Sequence, residues 1–355
     1  MSYERDAIAR MSGYVPGEQP ARAVVAKLNT NENPYPPCPA VMAALHGISG
    51  DALQRYPNAM ADGFRTEAAR VHDLTADNVI ATNGGDELLR LAITTFLEPG
   101  GPLGIVEPSY SLYPVLAALN ASPLFRVPLA DDWSVPADLA QRWNDAGIRL
   151  AMLVNPHAPS GRLAPVAEIA EIAKAFKGVL LLDEAYADFI DPDRGYDSTP
   201  LVRDFPNVLL LRTMSKGYSL AGLRFAYGLG SPTLIQPMLT KTKDSYNVDA
   251  VAQALATASL RHRDEAAKTW QAVRSERIRM TEALTTRGYA CPPSQTNFLL
   301  ADVPGGNAPS VYRTLADDGI YVRWFDQDRL RDKLRISIGT PQENDALLAA
   351  LDRIG

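Results

Sequence analysis

Val208-Leu-Leu-Leu-Arg-Thr-Met-Ser-Lys-Gly-Tyr-Ser-Leu-Ala-Gly-Leu-Arg224 joins an apolar run to a polar turn that carries glycines. Val208–Leu211 is apolar at consecutive positions, as expected of a strand buried on both faces of a parallel sheet. Arg212-Thr213-Met214-Ser215-Lys216-Gly217 then breaks the run without helical periodicity. Six more runs share this character: Val79–Ala81, Leu103–Val106, Pro123–Val127, Leu150–Val154, Val179–Leu182 and Phe225–Gly228. Amphipathic segments lie between them, among them Asp86–Leu97, Ser111–Leu119 and Pro165–Phe176. The first has an acidic start that suits the helix dipole, and it stops at Pro99-Gly100. This alternation predicts an α/β fold around an open sheet.

Outward from that sheet the pattern changes. Residues 1–45 read as an N-terminal arm, irregular and dense in Asn and Pro around Asn29-Thr-Asn-Glu-Asn-Pro-Tyr-Pro-Pro. Residues 46–258 form the large α/β domain. Residues 259–355 read as a smaller α+β domain, entered through a long helix over 264–287 that ends at Gly288. Its other elements are Phe298–Ala301, Val311–Asp317, Tyr321–Trp324, Leu334–Ile338 and Glu343–Leu351.

Composition narrows the function. The 355 residues carry a net charge of −6, without the basic excess expected of a nucleic-acid binder. Cys38 and Cys291 form neither a disulfide framework nor a metal-ligand pattern, and a reducing cytoplasm is the expected location. The first residues do not read as a secretory signal, and no apolar run is long enough to span a membrane. Dinucleotide-turn, phosphate-loop and zinc-protease motifs are absent, and His46, His72, His157 and His262 are scattered. Lysine is scarce, with eight in the chain, so each can be weighed on its own.

Ligands of open α/β sheets bind beyond the carboxyl ends of the strands. Those ends read Asn83-Gly84-Gly85-Asp86-Glu87, Glu107-Pro108-Ser109-Tyr110, Asn155-Pro156, Asp183-Glu184-Ala185-Tyr186 and Ser215-Lys216-Gly217. A lysine amine can form a Schiff base with an aldehyde. A carboxylate can keep a pyridinium nitrogen protonated, and a glycine-rich helix start can hold a phosphate. Tyr and Asn can hold a phenolic oxygen, and an aromatic ring can stack on the cofactor. Together they suit pyridoxal phosphate. Each has a plainer reading alone: a surface lysine, a turn Asp, a Gly-Gly turn, rim tyrosines. Their joint placement carries the argument.

Ser215-Lys216-Gly-Tyr-Ser-Leu-Ala-Gly-Leu-Arg224 resembles the Schiff-base segment of fold type I pyridoxal-phosphate-dependent aminotransferases. Asp183-Glu-Ala-Tyr186 and Asn155-Pro-His-Ala-Pro-Ser-Gly161 are similar to two further motifs of that family, in the expected order. Leu28-Asn-Thr-Asn-Glu-Asn-Pro-Tyr35, Arg55-Tyr56-Pro57, Gly84-Gly85-Asp86-Glu87 and Leu334-Arg335-Ile-Ser-Ile-Gly-Thr340 resemble its histidinol-phosphate branch. The resemblance spans about residues 14–351. It implies the aspartate-aminotransferase-like fold, a mixed, mostly parallel seven-stranded sheet with a smaller α+β domain.

The resemblance also implies roles. Lys216 would carry pyridoxal 5'-phosphate and act as the base. Asp183 would pair with its ring nitrogen, Tyr186 and Asn155 would hold the phenolic oxygen, and Tyr110 would stack on the ring. Gly85, Asp86, Thr213, Ser215 and Arg224 would bind the phosphate. Tyr56 would reach the neighbouring subunit's cofactor in a homodimer. Arg335 and Arg323 would bind substrate anions, and Tyr14 and Asn31 would line the entrance. The implied reaction is ping-pong transamination between histidinol phosphate and 2-oxoglutarate, in histidine biosynthesis, with no metal.

Some positions depart from the family pattern. His157-Ala158 stands where Asn-Asn is usual, Gly85 where Ser or Ala is usual, and Gly13 where Pro is common. Trp324-Phe325 is more aromatic than a site for imidazole and phosphate requires. Three alternatives therefore stay open: an aromatic amino-acid aminotransferase, a decarboxylase of phosphorylated amino acids on the same fold, and a non-catalytic binding module.

Overall fold

The computed structural model describes residues 3–14, 17–18 and 24–354. Its centre is a seven-stranded sheet built from β2 (Val79–Thr82), β3 (Leu103–Glu107), β4 (Leu124–Pro128), β5 (Leu150–Val154), β6 (Val179–Asp183), β7 (Val208–Thr213) and β8 (Ala226–Gly230). They lie in the order β2-β8-β7-β6-β5-β3-β4. β8 runs antiparallel to both neighbours, and the other pairs are parallel. Each of the seven apolar runs expected as a strand of the large sheet is one, with ends within two residues of those expected.

Successive side chains serve opposite faces, which explains the unbroken apolar runs. Leu180 and Leu182 join the core on one side of the sheet, and Leu181 joins the core on the other. The carboxyl ends of β2, β3, β5, β6 and β7 share one edge. Because β8 is reversed, its first residue Ala226 lies at that edge too, paired with both Thr82 and Thr213. Arg224, two residues earlier, is thereby placed beside the start of the helix Gly84–Phe96.

A second sheet, β11-β12-β9, is antiparallel and comprises β9 (Phe298–Asp302), β11 (Arg323–Trp324) and β12 (Lys333–Ser337). A third is a parallel pair of β1 (Ala26–Lys27) and β10 (Ile320–Tyr321). Two expectations are corrected here. Tyr321–Trp324, read as one element, is divided: Val322 is buried at a change of partner, with Ile320–Tyr321 paired to β1 and Arg323–Trp324 to β12. A run of four residues cannot reveal that its halves bond to different sheets.

The arm is also not irregular throughout. Pro39–His46 is a helix, opened by Pro39 in its first turn and continued by good helix formers. β1 docks the arm on β10, and Leu28 donates to Tyr321 O while accepting from Ser337 N. That docking carries Asn29–Glu32 to the strand-end edge of the large sheet. The long helix runs over Arg263–Thr286, and Gly288 follows with φ +83. No helix among the described residues is long and apolar enough to cross a membrane.

Candidate active site

One cavity of about 450 Å³ opens at the strand-end edge. All the residues singled out from the sequence line it except Tyr56 and Asn155. Its floor is built by the large sheet. β7 runs into Thr213-Met214-Ser215-Lys216, and the Lys216 amine donates to Thr30 O at 2.9 Å. Burial, then the nearby Arg335 guanidinium, pushes that amine down to about 8. At that value about a tenth of the amine is neutral at pH 7, far more than for an ordinary lysine, which favours it as a nucleophile and base.

Asp183 ends β6, one strand over. Its carboxylate accepts from Tyr113 Oη at 2.9 Å and Ala185 N at 3.1 Å. Burial pushes it up to about 6, against the lowering effect of those two bonds. A buried carboxylate is costly without a cation, so this position suits a positively charged ring nitrogen. Tyr113 was not foreseen. It lies one helical turn beyond Tyr110, and that i, i+3 spacing was the available signal. The two rings meet edge to face at 5.6 Å, and Tyr110 meets Tyr14 likewise at 6.3 Å.

The phosphate-sized end of the floor is a cradle. Gly84 has φ +77, a left-handed conformation that favours glycine, and a Cβ there would lie 2.7 Å from the Arg224 guanidinium and displace it. Arg224 itself sits at φ +57 and reaches Asp86 at 3.4 Å. Gly85 and Asp86 of the helix start, Thr213, Ser215 and Arg224 all line the cavity there, and a helix start offers free N–H groups to an anion. Thr213 Oγ1 also accepts from Ser215 N at 3.1 Å, which fixes the turn before Lys216.

Tyr186 and Asn31 join floor to wall. Asn31 Nδ2 donates to Tyr186 Oη at 3.0 Å, and Asn31 Oδ1 accepts from Ser337 Oγ at 2.9 Å. Asn31 holds φ +54, a conformation Asn tolerates better than most residues. Arg323 and Arg335 form the outer wall as direct cross-strand partners of β11 and β12. Like charges so placed destabilise a sheet, and a bound anion would relieve the cost. The Phe325 ring lies 5.2 Å from the Arg323 guanidinium carbon and 5.4 Å from that of Arg335. Arg335 Nη2 donates to Asn29 O at 2.9 Å. Among the described residues, Arg335 Nε and Ser109 Oγ are buried without a hydrogen-bond partner, and both residues line the cavity.

Two residues stand apart. Asn155 lies 1% exposed beneath the floor, its Nδ2 donating to Ala164 O and Tyr196 Oη at 3.0 Å each. Its Oδ1 accepts from Ala164 N at 2.8 Å, so the expected turn of this amide into the cavity is not what the structure shows. The loop that returns Ala164 to β5 and the Tyr196 hydroxyl together take up the Nδ2 hydrogen bonds. Tyr56 is 81% exposed and stacks on Tyr246 with ring centroids 4.4 Å apart, outside this chain's cavity.

The sequence was compared with known proteins. The model of the family "Aminotransferase class I and II" matches residues 23–351. A histidinol-phosphate aminotransferase of Trichormus variabilis is 39% identical over 352 residues, covering 99% of this chain and 98% of that protein. The crystal structure of histidinol-phosphate aminotransferase from Sinorhizobium meliloti, in complex with pyridoxal-5'-phosphate, superposes with a TM-score of 0.91 at 27% identity. That match covers 100% of this chain and 99% of the other. A Thermus thermophilus aspartate aminotransferase mutant shares the fold, with a TM-score of 0.78 at 19% identity and coverage of 100% and 99%. With lysine, carboxylate and anion cradle around one cavity, and a match over nearly the whole length, the chain belongs to the class I and II aminotransferase family.

Proposed function

We propose that this chain transfers the amino group of histidinol phosphate to 2-oxoglutarate, with pyridoxal 5'-phosphate as cofactor, in histidine biosynthesis. The observation that carries the chemistry is the pair Lys216 and Asp183, which line one cavity beyond adjacent strand ends. The full-length likeness to histidinol-phosphate aminotransferases supports the donor.

The residues present fit the cofactor. The buried Asp183 carboxylate matches a cationic ring nitrogen, and the Gly84 cradle with Arg224 matches a phosphate. When bound, pyridoxal phosphate supplies an electron-withdrawing ring that stabilises negative charge at the donor carbon. Lys216 would hold it covalently and, once displaced by the donor, move the proton from the donor carbon. Asp183 would stay ionised beside the ring nitrogen, with Tyr113 orienting it. Tyr186 would donate to the phenolic oxygen, and Asn155 would do so only after its amide turns from Ala164. Tyr110 would stack on the ring. Gly85, Asp86, Thr213, Ser215 and Arg224 would bind the cofactor phosphate.

Arg335 and Arg323 would take the donor phosphate in one half-reaction and 2-oxoglutarate carboxylates in the other, with Tyr14 and Asn31 at the entrance. We propose three parts: an arm (1–45), a cofactor domain (46–258) and a small domain (259–355). The assembly would be a cytoplasmic homodimer in which the exposed Tyr56 reaches the neighbouring site. The test is glutamate formation from 2-oxoglutarate by the purified chain. Turnover with histidinol phosphate at a higher kcat/KM than with phenylalanine is expected. The reverse order would favour the aromatic reading, for which Phe325 on the cavity wall is the motivating observation. No glutamate from any donor would sink the reaction.

A further inference from the structure

The loop between β11 and β12 presents Phe325, Gln327 and Leu330 to the cavity, and its Arg329 side chain ties it to the large sheet. Arg329 Nη1 donates to Leu129 O at 2.7 Å, and its Nη2 donates to Ala130 O at 2.7 Å and Asp131 O at 3.5 Å. These acceptors follow β4, at the edge of the large sheet. The Arg329 guanidinium carbon also lies 4.3 Å from the centre of the Trp133 ring. One planar fork thus bonds to backbone carbonyls of the large sheet's edge and stacks on its aromatic neighbour.

The layers below are fixed. Trp133 is 7% exposed and stacks on His157, with ring centroids 6.3 Å apart and planes 27° apart. His157 is anchored through Nε2 to Pro108 O at 2.9 Å and through Nδ1 to Ser160 Oγ at 2.7 Å. Burial pushes its imidazole down to about 4, so it adds no second positive charge under the stack near neutral pH. Arg162 holds the same turn through Asp132 O and Oδ2. The departure at His157 in the Asn155-Pro-His motif therefore has a structural use: it is the base of this stack.

Backbone strain marks the contact. Arg329 and Trp133 both hold φ +67, a region bulky L residues rarely adopt. Strain at both partners of a single contact persists only where the surroundings over-determine it. The loop so fixed sets Phe325, whose ring meets both the Arg323 and the Arg335 guanidinium.

We propose that Arg329 is a positioning residue for the amino donor. By clamping the β11–β12 loop on the Leu129–Trp133 turn, it fixes Phe325 and so the separation of the two guanidiniums that read the donor's anion. Arg329 acts through the loop and is not a catalytic residue. The inference rests on the proposed phosphate-bearing donor.

The test combines steady-state kinetics with hydrogen exchange of the holoenzyme. In Arg329→Ala, KM for histidinol phosphate should rise roughly tenfold, the loss of charged hydrogen bonds that order the loop. kcat should stay within about threefold and the bound-cofactor absorbance should not change. Arg329→Lys keeps the charge without the planar fork and should leave most of the rise in place. Trp133→Ala should raise KM likewise, and the double variant should add little to either single one. Amides of residues 325–330 should exchange faster in Arg329→Ala.

Unchanged KM and unchanged exchange would overturn the proposal. So would kcat, KM and cofactor absorbance deteriorating together in both Arg329 variants, because that marks a general structural role. If the wild-type holoenzyme does not use histidinol phosphate, the donor reading fails, and the exchange alone decides whether the clamp stands.

Discussion

The floor of the cavity comes from strand ends of a single sheet, whereas its outer wall is assembled from stretches far apart in the chain. On the floor, Asp183 and Lys216 follow adjacent parallel strands, so register alone brings them together. On the wall, Asn31 from the arm meets Ser337 across 306 positions, and Arg323 faces Arg335 only because β11 and β12 pair. The floor holds groups displaced from their ordinary protonation, a lysine pushed down and an aspartate pushed up. The wall holds like charges facing each other. The floor is suited to the chemistry shared by a family, and the wall to the choice of donor.

Floor variants should therefore lose turnover with every donor. Lys216→Ala should lower kcat by about 10³-fold or more and remove the cofactor absorbance band. Asp183→Asn should lower kcat by roughly 10²–10³-fold. A floor variant that spared one donor would blur the division.

Two further floor tests depend on pH. Capture of pyridoxal phosphate by the cofactor-free chain needs a neutral Lys216 amine. Its rate should rise with pH and level off above about 8, followed by absorbance. Asp183 has a raised value, about 6, against the ordinary 3.8. Its contribution to the stability of the cofactor-free chain is complete below pH 3.8 and is lost as pH rises through 6. At pH 7.5, cofactor-free Asp183→Asn should exceed the cofactor-free wild type by ~1–3 kcal/mol in denaturant unfolding.

Wall variants should act on KM and discriminate between substrates. Arg335→Lys keeps the charge but loses the planar fork. It should raise KM for histidinol phosphate and 2-oxoglutarate by about 10- to 100-fold, with cofactor absorbance intact. The smallest effect belongs to Tyr113→Phe, which removes one hydrogen bond to Asp183. It should lower kcat by about fivefold, with the Asp183 value moving further up.

The floor was legible in the sequence because its strands announce themselves as apolar runs and its functional residues follow those runs directly. The wall was legible in part. Leu334-Arg335-Ile-Ser-Ile-Gly-Thr340 marked Arg335, yet Tyr321–Trp324 read as one element when its halves serve two sheets. Asn155 was found by motif, but its orientation depends on Ala164, nine positions on, and on Tyr196. Trp324 and Phe325 looked alike as a pair of aromatics. In the fold Trp324 Nε1 donates to Arg331 O, while Phe325 alone lines the cavity.

Local pattern and short motifs gave the fold class and singled out the lysine, the carboxylate and the glycine-rich helix start. Each of these follows from the chemistry of consecutive residues: period, apolarity and a turn. The tertiary structure decided the Tyr113 bond to Asp183, the facing arginines and the Arg329–Trp133–His157 stack. Those depend on distances between chain segments as much as 200 positions apart, which side-chain identity alone does not encode.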